Sequence, residues 1–233
     1  TCEGEIKCLH RKGKLVSKVL FATKTWSGDF TKFLSGAFER KYEPLDFKFD
    51  AKWLLVNNGV PPEVKFNCTD RVIDVSEHAL DALRWFKLDE NSFKIGTNDG
   101  YKYSIAEIVL LYLADGYDYL CYVQGDTVME KGDGFVKKAI KVLENDKFVS
   151  VVSPYSDVNT WHNKLGLDQY FSDQLFVIRV PEFREDIFRY QGFNKDYPSY
   201  GGDSFEHKVH KYLVNNKKYR MILKDYYATH PTY

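Results

Sequence analysis

A single-domain α/β fold, built on a mostly parallel sheet with helices on both faces, is what this sequence predicts. Three observations carry the expectation. The first two thirds of the chain alternate apolar, strand-like runs with amphipathic helical ones, the pattern of crossover-connected parallel strands. The run Tyr117-Asp118-Tyr119-Leu120-Cys121-Tyr122-Val123-Gln124-Gly125-Asp126 reads as a buried strand ending on a glycine and a carboxylate. The helical run just before it has clear start and stop signals.

Taken in order, residues 1–18 are short, basic and weakly patterned, and read as an N-terminal extension. Val19-Leu20-Phe21-Ala22-Thr23 is a first buried strand. Ser27 then caps a helix whose apolar face is Phe30, Phe33, Leu34, Ala37 and Phe38. Trp53-Leu54-Leu55-Val56 is a second strand, stopped by Asn57-Asn58-Gly59 and Pro61-Pro62. The spacing predicts a helix over 76–87 and a short strand over 93–96. Ser104 and Glu107 form a capping box for a helix over 105–113, which Gly116 ends. A helix from Phe135 to Glu144 leads into the strand Phe148-Val149-Ser150-Val151-Val152. Residues 155–172 are polar and aromatic with little periodicity. Leu175-Phe176-Val177-Ile178-Arg179 is a late strand, and Asp203 to Val214 a helix with Phe205, Val209, Tyr212 and Leu213 on one side.

Composition narrows the function classes. Lys plus Arg and Asp plus Glu are both 33, so no net field draws the chain to nucleic acid or anionic membrane, and nucleic acid is disfavoured as a partner. Aromatic residues make up 16%, enough for sugar- or base-stacking faces as well as for a core. Cys2, Cys8, Cys68 and Cys121 lack zinc-site spacing; inert reduced thiols are expected, with a Cys2–Cys8 pair left open. No apolar run reaches membrane-spanning length and no signal peptide stands out, so a cytoplasmic location is expected.

Asp126 is the leading candidate for chemistry. In open α/β sheets ligands bind in the crevice beyond the carboxyl ends of the strands, and a carboxylate beside a glycine can hold a hard divalent cation together with substrate phosphates. Capping the turn with Thr127 is the equally weighted structural role for Asp126. Gln124 offers a neutral oxygen. Asp118 sits at the other end of the same strand, roughly 25 Å away if fully extended, and is no partner for it.

The ordered set Thr23-Lys24-Thr25, Asn57-Asn58-Gly59, Gln124-Gly125-Asp126, the strand ending in Arg179, and Gly201-Gly202-Asp203 resembles the GT-A (Rossmann-like) glycosyltransferases, most closely the family-two type. The resemblance spans about 19–230. It implies a nucleotide-binding half over 19–126 and an acceptor-binding half over 127–233. It implies a metal-dependent, inverting transfer of a sugar from a nucleoside-diphosphate donor, UDP-sugar by default, to an acceptor hydroxyl, most readily of a glycan. Asp126 would hold Mn2+ or Mg2+ against the diphosphate, with His230 as a second ligand, while Gln124 replaces the first acid of the family's D-x-D motif. Thr23, Thr25, Asn57, Asn58, Lys102, Gln124 and Gly125 would line the nucleotide. Asp203 would be the general base, with Glu206 its competitor and Gly202 standing where the family carries Glu. Asp173, Trp161 and His162 would face donor sugar or acceptor, among aromatics that include Tyr155, Tyr170 and Phe171. The two departures, Gln124 and Gly202, leave an alternative of the same fold: a catalytically degenerate domain that binds nucleotide sugar or glycan. A nucleotidyltransferase would want a glycine- and arginine-rich phosphate loop after the first strand, where this chain has Thr23-Lys24-Thr25-Trp26-Ser27-Gly28.

Overall fold

The computed structural model describes residues 17–29, 36–57, 59, 68–88, 105–156, 166–186 and 205–229. Its strands are β1 (Val19–Trp26), β2 (Ala51–Asn57), β3 (Arg71–Asp74), β4 (Tyr119–Val123), β5 (Val128–Lys131), β6 (Val149–Ser156), β7 (Gly166–Asp168), β8 (Leu175–Arg179) and β9 (Tyr219–Thr229). Its helices are α1 (Glu39–Tyr42), α2 (Val75–Trp85), α3 (Ile105–Leu113), α4 (Phe135–Asn145), α5 (Val180–Asp186) and α6 (Phe205–Asn215). The strands form one sheet in the order β3-β2-β1-β4-β8-β6-β9-β5, with β7 also paired to β9. From β3 to β4 all pairing is parallel. β8 then runs antiparallel to both β4 and β6, β6 and β9 are parallel, and β5 and β7 run against β9. The expected α/β sheet is present, and its antiparallel insertion at β8 proves decisive for the site.

The strand sequences explain the layering. Successive side chains of a strand point to opposite faces, and here both faces are apolar. Leu20 and Ala22 of β1, Leu120 and Tyr122 of β4, and Phe176 and Ile178 of β8 meet α2, α3 and α6 on one face. Phe21, Cys121, Val123 and Val177 point the other way, into a core shared with Phe38, Leu45 and the Phe135, Val136, Ala139 and Leu143 face of α4. Helices therefore cover both sides of the sheet, as crossover connections between parallel strands require.

Helix boundaries follow local chemistry. Asp74 caps α2 by accepting from the Ser76 amide at 2.9 Å, so the helix begins one residue ahead of the expected Ser76. α3 spans the predicted residues, and Gly116 follows it at φ 82°, a left-handed conformation that suits glycine after a helix. Ser104, and with it the proposed capping box, lies outside the described residues, as do the expected strand over 93–96 and most of the helix expected after Ser27. β9 is absent from the sequence expectation. Its apolar pattern is broken by exposed Lys224 and Asp225, where the pairing with β6 jumps from Pro154↔Leu223 to Tyr155↔Tyr227. Such a bulge hides a strand from period-two reading.

The turn after β4 is clamped from one side. Lys41 of α1 is buried and donates from Nζ to the Thr127 carbonyl at 2.5 Å. Nearby, Gly132 packs so closely on the 43–45 turn that an added Cβ would lie 2.6 Å from the Pro44 carbonyl oxygen and 2.7 Å from Met129 Cγ. Gly132→Ala is accordingly expected to destabilise the fold by about 1–3 kcal/mol, the usual cost of overpacking. Urea denaturation checks this, and an unchanged midpoint would show that the 43–45 turn is not held here.

Candidate active site

Four elements converge where β1 and β4 end. The β1–β4 register pairs Thr23 with Val123, so Lys24, inside β1, lies level with Gln124 just past the end of β4. Because β8 is antiparallel to β4, its first residue Leu175 pairs with Val123, and the segment entering β8 meets the segment leaving β4. The Gln124 amide donates to the Gln174 carbonyl at 2.7 Å, and Asp173 comes next. Glu206, in the first turn of α6, accepts the Asp173 backbone N–H at 3.0 Å. Asp126 lies two residues beyond Gln124, in a turn closed by the Thr127 N–H to the Gln124 carbonyl at 3.0 Å.

Buried acids so close together need compensation. Lys24, 2% exposed, donates from Nζ to Glu107 Oε1 at 2.5 Å and lies 3.8 Å from Asp173 Oδ2. The Tyr122 hydroxyl donates to the same Glu107 oxygen at 2.7 Å. Hydrogen bonding also fixes the Gln124 amide: with its nitrogen toward the acid, it donates to both Asp173 oxygens, at 3.1 and 3.2 Å. Burial pushes the Asp173 carboxyl up to about 6, and the Glu107 and Asp126 charges push the same way, while Lys24 and the Glu206 hydrogen bond oppose them. Burial, then the Asp173 charge, raises Glu206 well above the usual carboxylate range. The two carboxyls are hydrogen-bonded to each other and share a proton as a pair. Asp126 faces Lys41, whose ammonium burial pulls down to about 8 against the pull of Asp126.

Of the residues anticipated from sequence, Thr23, Thr25, Gln124, Gly125, Asp126, Asp173 and Glu206 all fall at this one edge. Asn57 ends β2 in register with Trp26 and is 3% exposed, and neither its Oδ1 nor its Nδ2 has a partner among the described residues. The Thr23 hydroxyl is in the same condition, while Thr25 Oγ1 donates to the Trp26 carbonyl at 3.4 Å. Asn58, Lys102, Trp161, His162, Gly202, Asp203 and His230 lie outside the described residues.

Several expectations are corrected. Arg179 sits opposite Tyr119 at the far end of the sheet, because β8 is reversed; there it binds Glu182 and the Leu143 and Val149 carbonyls. Phe171 is fully buried between Phe176 and Phe205, a core residue and not an acceptor-pocket one. His210 is buried, with Nδ1 2.8 Å from the Gln169 carbonyl oxygen and its ring stacked on Tyr170. Lys24 and Glu107 were missed as a pair. The readable signals were a lysine inside the buried run Val19–Trp26 and a lone acid in the otherwise apolar helix Ile105–Leu113. Cys68 and Cys121 are free thiols, and burial raises both.

The donor set can be tested against the divalent cation that the resemblance implies. Among the described residues, no three of His, Cys, Asp and Glu are arranged to hold a metal ion. Mg2+-like ions, however, commonly take one or two carboxylates and complete their shell with water and substrate phosphates. Asp126, on a turn at the strand ends, meets that smaller requirement. Asp173 does not, because its oxygens are already engaged by the Gln124 amide and the Glu206 carboxyl.

No protein-family model matches this sequence, and no curated protein matches it. Among solved structures, the chain is similar to glucosyl-3-phosphoglycerate synthase from Mycobacterium tuberculosis in complex with Mn2+, UDP and phosphoglyceric acid, with TM-score 0.53 and 11% identity over 93% of this chain and 72% of that one. The same enzyme with Mn2+, UDP and glucosyl-3-phosphoglycerate gives TM-score 0.51 and 12% identity over 93% and 73%. A structure described as a mycobacterial protein gives 0.52 and 12% over 93% and 68%. Identities this low speak for the fold alone: the chain has the GT-A fold. No helix among the described residues is long and apolar enough to cross a membrane.

Raised carboxyl pKa values make stability fall with pH. Asp173 and Glu206 bind protons more tightly folded than unfolded; the Asp173 contribution is complete below about pH 4 and is lost as pH climbs through about 6, and the Glu206 contribution declines in the same direction. Asp173→Asn/Glu206→Gln should flatten that decline. Urea unfolding free energies from pH 4 to 8 read it out, and parallel curves for the two proteins would contradict the shared proton.

Proposed function

We propose that this protein is a glycosyltransferase that moves a sugar from a nucleoside-diphosphate donor, UDP-sugar by preference, to an acceptor hydroxyl, with inversion and with a divalent cation. The observation that carries the reading is the grouping of Asp126, Asp173 and Glu206 at the strand ends of a GT-A-fold sheet. That edge is where an open α/β sheet takes its ligand.

In this reading the nucleoside lies across the ends of β1 and β2. Asn57 presents a buried amide with both donor and acceptor available for a pyrimidine edge, and Trp26, 39% exposed beside it, offers a face for stacking. Asp126 holds the cation, with His230 as the further ligand; when bound, the cation neutralises charge on the departing diphosphate. Asp203, two residues ahead of α6, is the general base and takes the acceptor proton as the oxygen attacks the anomeric carbon from the face opposite the diphosphate. Glu206 accepts the Asp173 N–H at 3.0 Å and is hydrogen-bonded to its carboxyl, which suits it to orient that acid and leaves the base role to Asp203. The alternative, a binding domain without turnover, draws on Gln124, whose amide is engaged with Asp173 where the family carries an acid. Slow hydrolysis of a UDP-sugar to UDP, lost on chelation, separates the enzyme from the binding domain.

Asp126→Ala should remove the dependence of UDP affinity on Mn2+, as read by calorimetry with and without EDTA. An unchanged Mn2+ dependence would take the cation away from Asp126. Asp203→Asn should leave UDP binding intact and lower transfer by about 10²–10⁴-fold, the usual worth of a general base. Glu206→Gln, which keeps a donor toward Asp173, should stay within about tenfold of wild type. The reverse ranking in a transfer assay would make Glu206 the base.

A further inference from the structure

We propose that Asp173 supplies the carboxylate that position 124 lacks, and that Gln124 is an amide in order to hold it. The inference rests on the glycosyltransferase reading for the identity of the ligand, while the exchange itself rests on geometry. β8 runs antiparallel to β4, so the residues entering β8 lie against those leaving β4, and the two segments are tied by the Gln124 N–H to the Gln174 carbonyl at 2.7 Å. An acid on the approach to β8 therefore occupies nearly the same space as an acid at the end of β4.

Asp173 is gripped from three directions by donors. The Gln124 amide nitrogen reaches both of its oxygens at 3.1 and 3.2 Å, Lys24 Nζ stands 3.8 Å from Oδ2, and the Glu206 carboxyl shares a hydrogen bond with it. A carboxylate has about four lone-pair positions; the Gln124 amide takes two and Glu206 one, and Lys24 at 3.8 Å is beyond hydrogen-bond range, so among the described residues one position is left for a ligand donor. The Asp173 side chain is 16% exposed, which keeps an edge within reach of one. A glutamate at 124, in the space of the glutamine, would bring two carboxylates to about 3 Å, and one of them would have to take up a proton. The amide avoids that conflict and adds a donor.

The neighbours also choose the ligand class. The Asp173 oxygens already face the Gln124 amide, the Glu206 carboxyl and Lys24, so Asp173 takes a neutral O–H donor in its remaining position. A hydroxyl of the donor's ribose or sugar has that chemistry, and Asp126, with its own neighbour Lys41, remains the separate carboxylate of the turn. The charge balance behind this draws on every packed element: Lys24 from β1, Glu107 from α3, Asp126 from the turn after β4, and Glu206 from α6.

Four proteins test the exchange: wild type, Asp173→Asn, Gln124→Glu, and the double variant Gln124→Glu/Asp173→Asn. Calorimetry with UDP and UDP-glucose in Mn2+ at pH 7.5 should show affinity weakened about tenfold or more in each single variant, the worth of one hydrogen bond to a charged group. The double variant, which swaps acid and amide, should recover to within about threefold of wild type. Wild-type affinity in Asp173→Asn, or a double variant no tighter than Asp173→Asn, would overturn the inference while leaving the donor reading intact. A wild type that binds neither UDP nor UDP-glucose would overturn the donor reading, and with it the ligand role of Asp173. Urea unfolding of the same four proteins gives a ligand-free check. Gln124→Glu should lower the midpoint at pH 7.5 and Asp173→Asn should restore it, whereas additive effects would show that the two side chains are not coupled and would overturn the exchange.

Discussion

The pairing of β4 with β8 in opposite directions is the constraint on which the site depends. Had β8 run parallel to β4, its carboxyl end, with Arg179, would have arrived beside Asp126. Reversal sends Arg179 to the far edge, where it ties β8 to the carbonyls of Leu143 and Val149. It brings Asp173 to the working edge instead. The identity of the groups beside the central carboxylate is thus decided by strand direction.

Once acids are gathered there, electrostatics dictates what surrounds them. A buried unpaired carboxylate is too costly to persist, and removing one partner of a buried pair typically costs about 3–5 kcal/mol. The chain answers with a lysine drawn from β1, a second acid in α3 to balance it, a tyrosine hydroxyl from β4 and a proton held between Asp173 and Glu206. These groups come from sequence positions as far apart as 24, 107, 122, 173 and 206, so the site and the sheet register are formed together. The same arrangement places two carboxyls that burial raises above the usual carboxylate range at the strand ends, a common setting for groups that handle protons.

The Asp126 turn shares Gln124 with the Asp173 cluster and has a second support of its own. Lys41 from α1 fixes the Thr127 carbonyl, and Gly132 lets the chain beyond β5 press against Pro44. Beyond Gln124 the two acids rest on different supports: Asp126 on the α1 side of the sheet, and Asp173 on the α3 and α6 side. One lysine accompanies each. This separation is what allows one acid to serve a cation and the other a hydroxyl in the reading developed above.

The sequence by itself determined the alternation of strands and helices, the strand that ends at Asp126, the ends of α3 and the limits of β8. Each is written in local periodicity or in a cap, where neighbours along the chain decide the outcome. It also drew attention to Asp126, Asp173, Glu206 and Asn57, through the order of short motifs. Only the tertiary structure decided the direction of β8, the bulged strand β9, the burial of Phe171 and His210, and the Lys24–Glu107–Tyr122 network. The physical reason is the same in each case: strand direction and charge pairing are set by partners distant along the chain, and local patterning carries no record of which partner a strand or a lysine will meet.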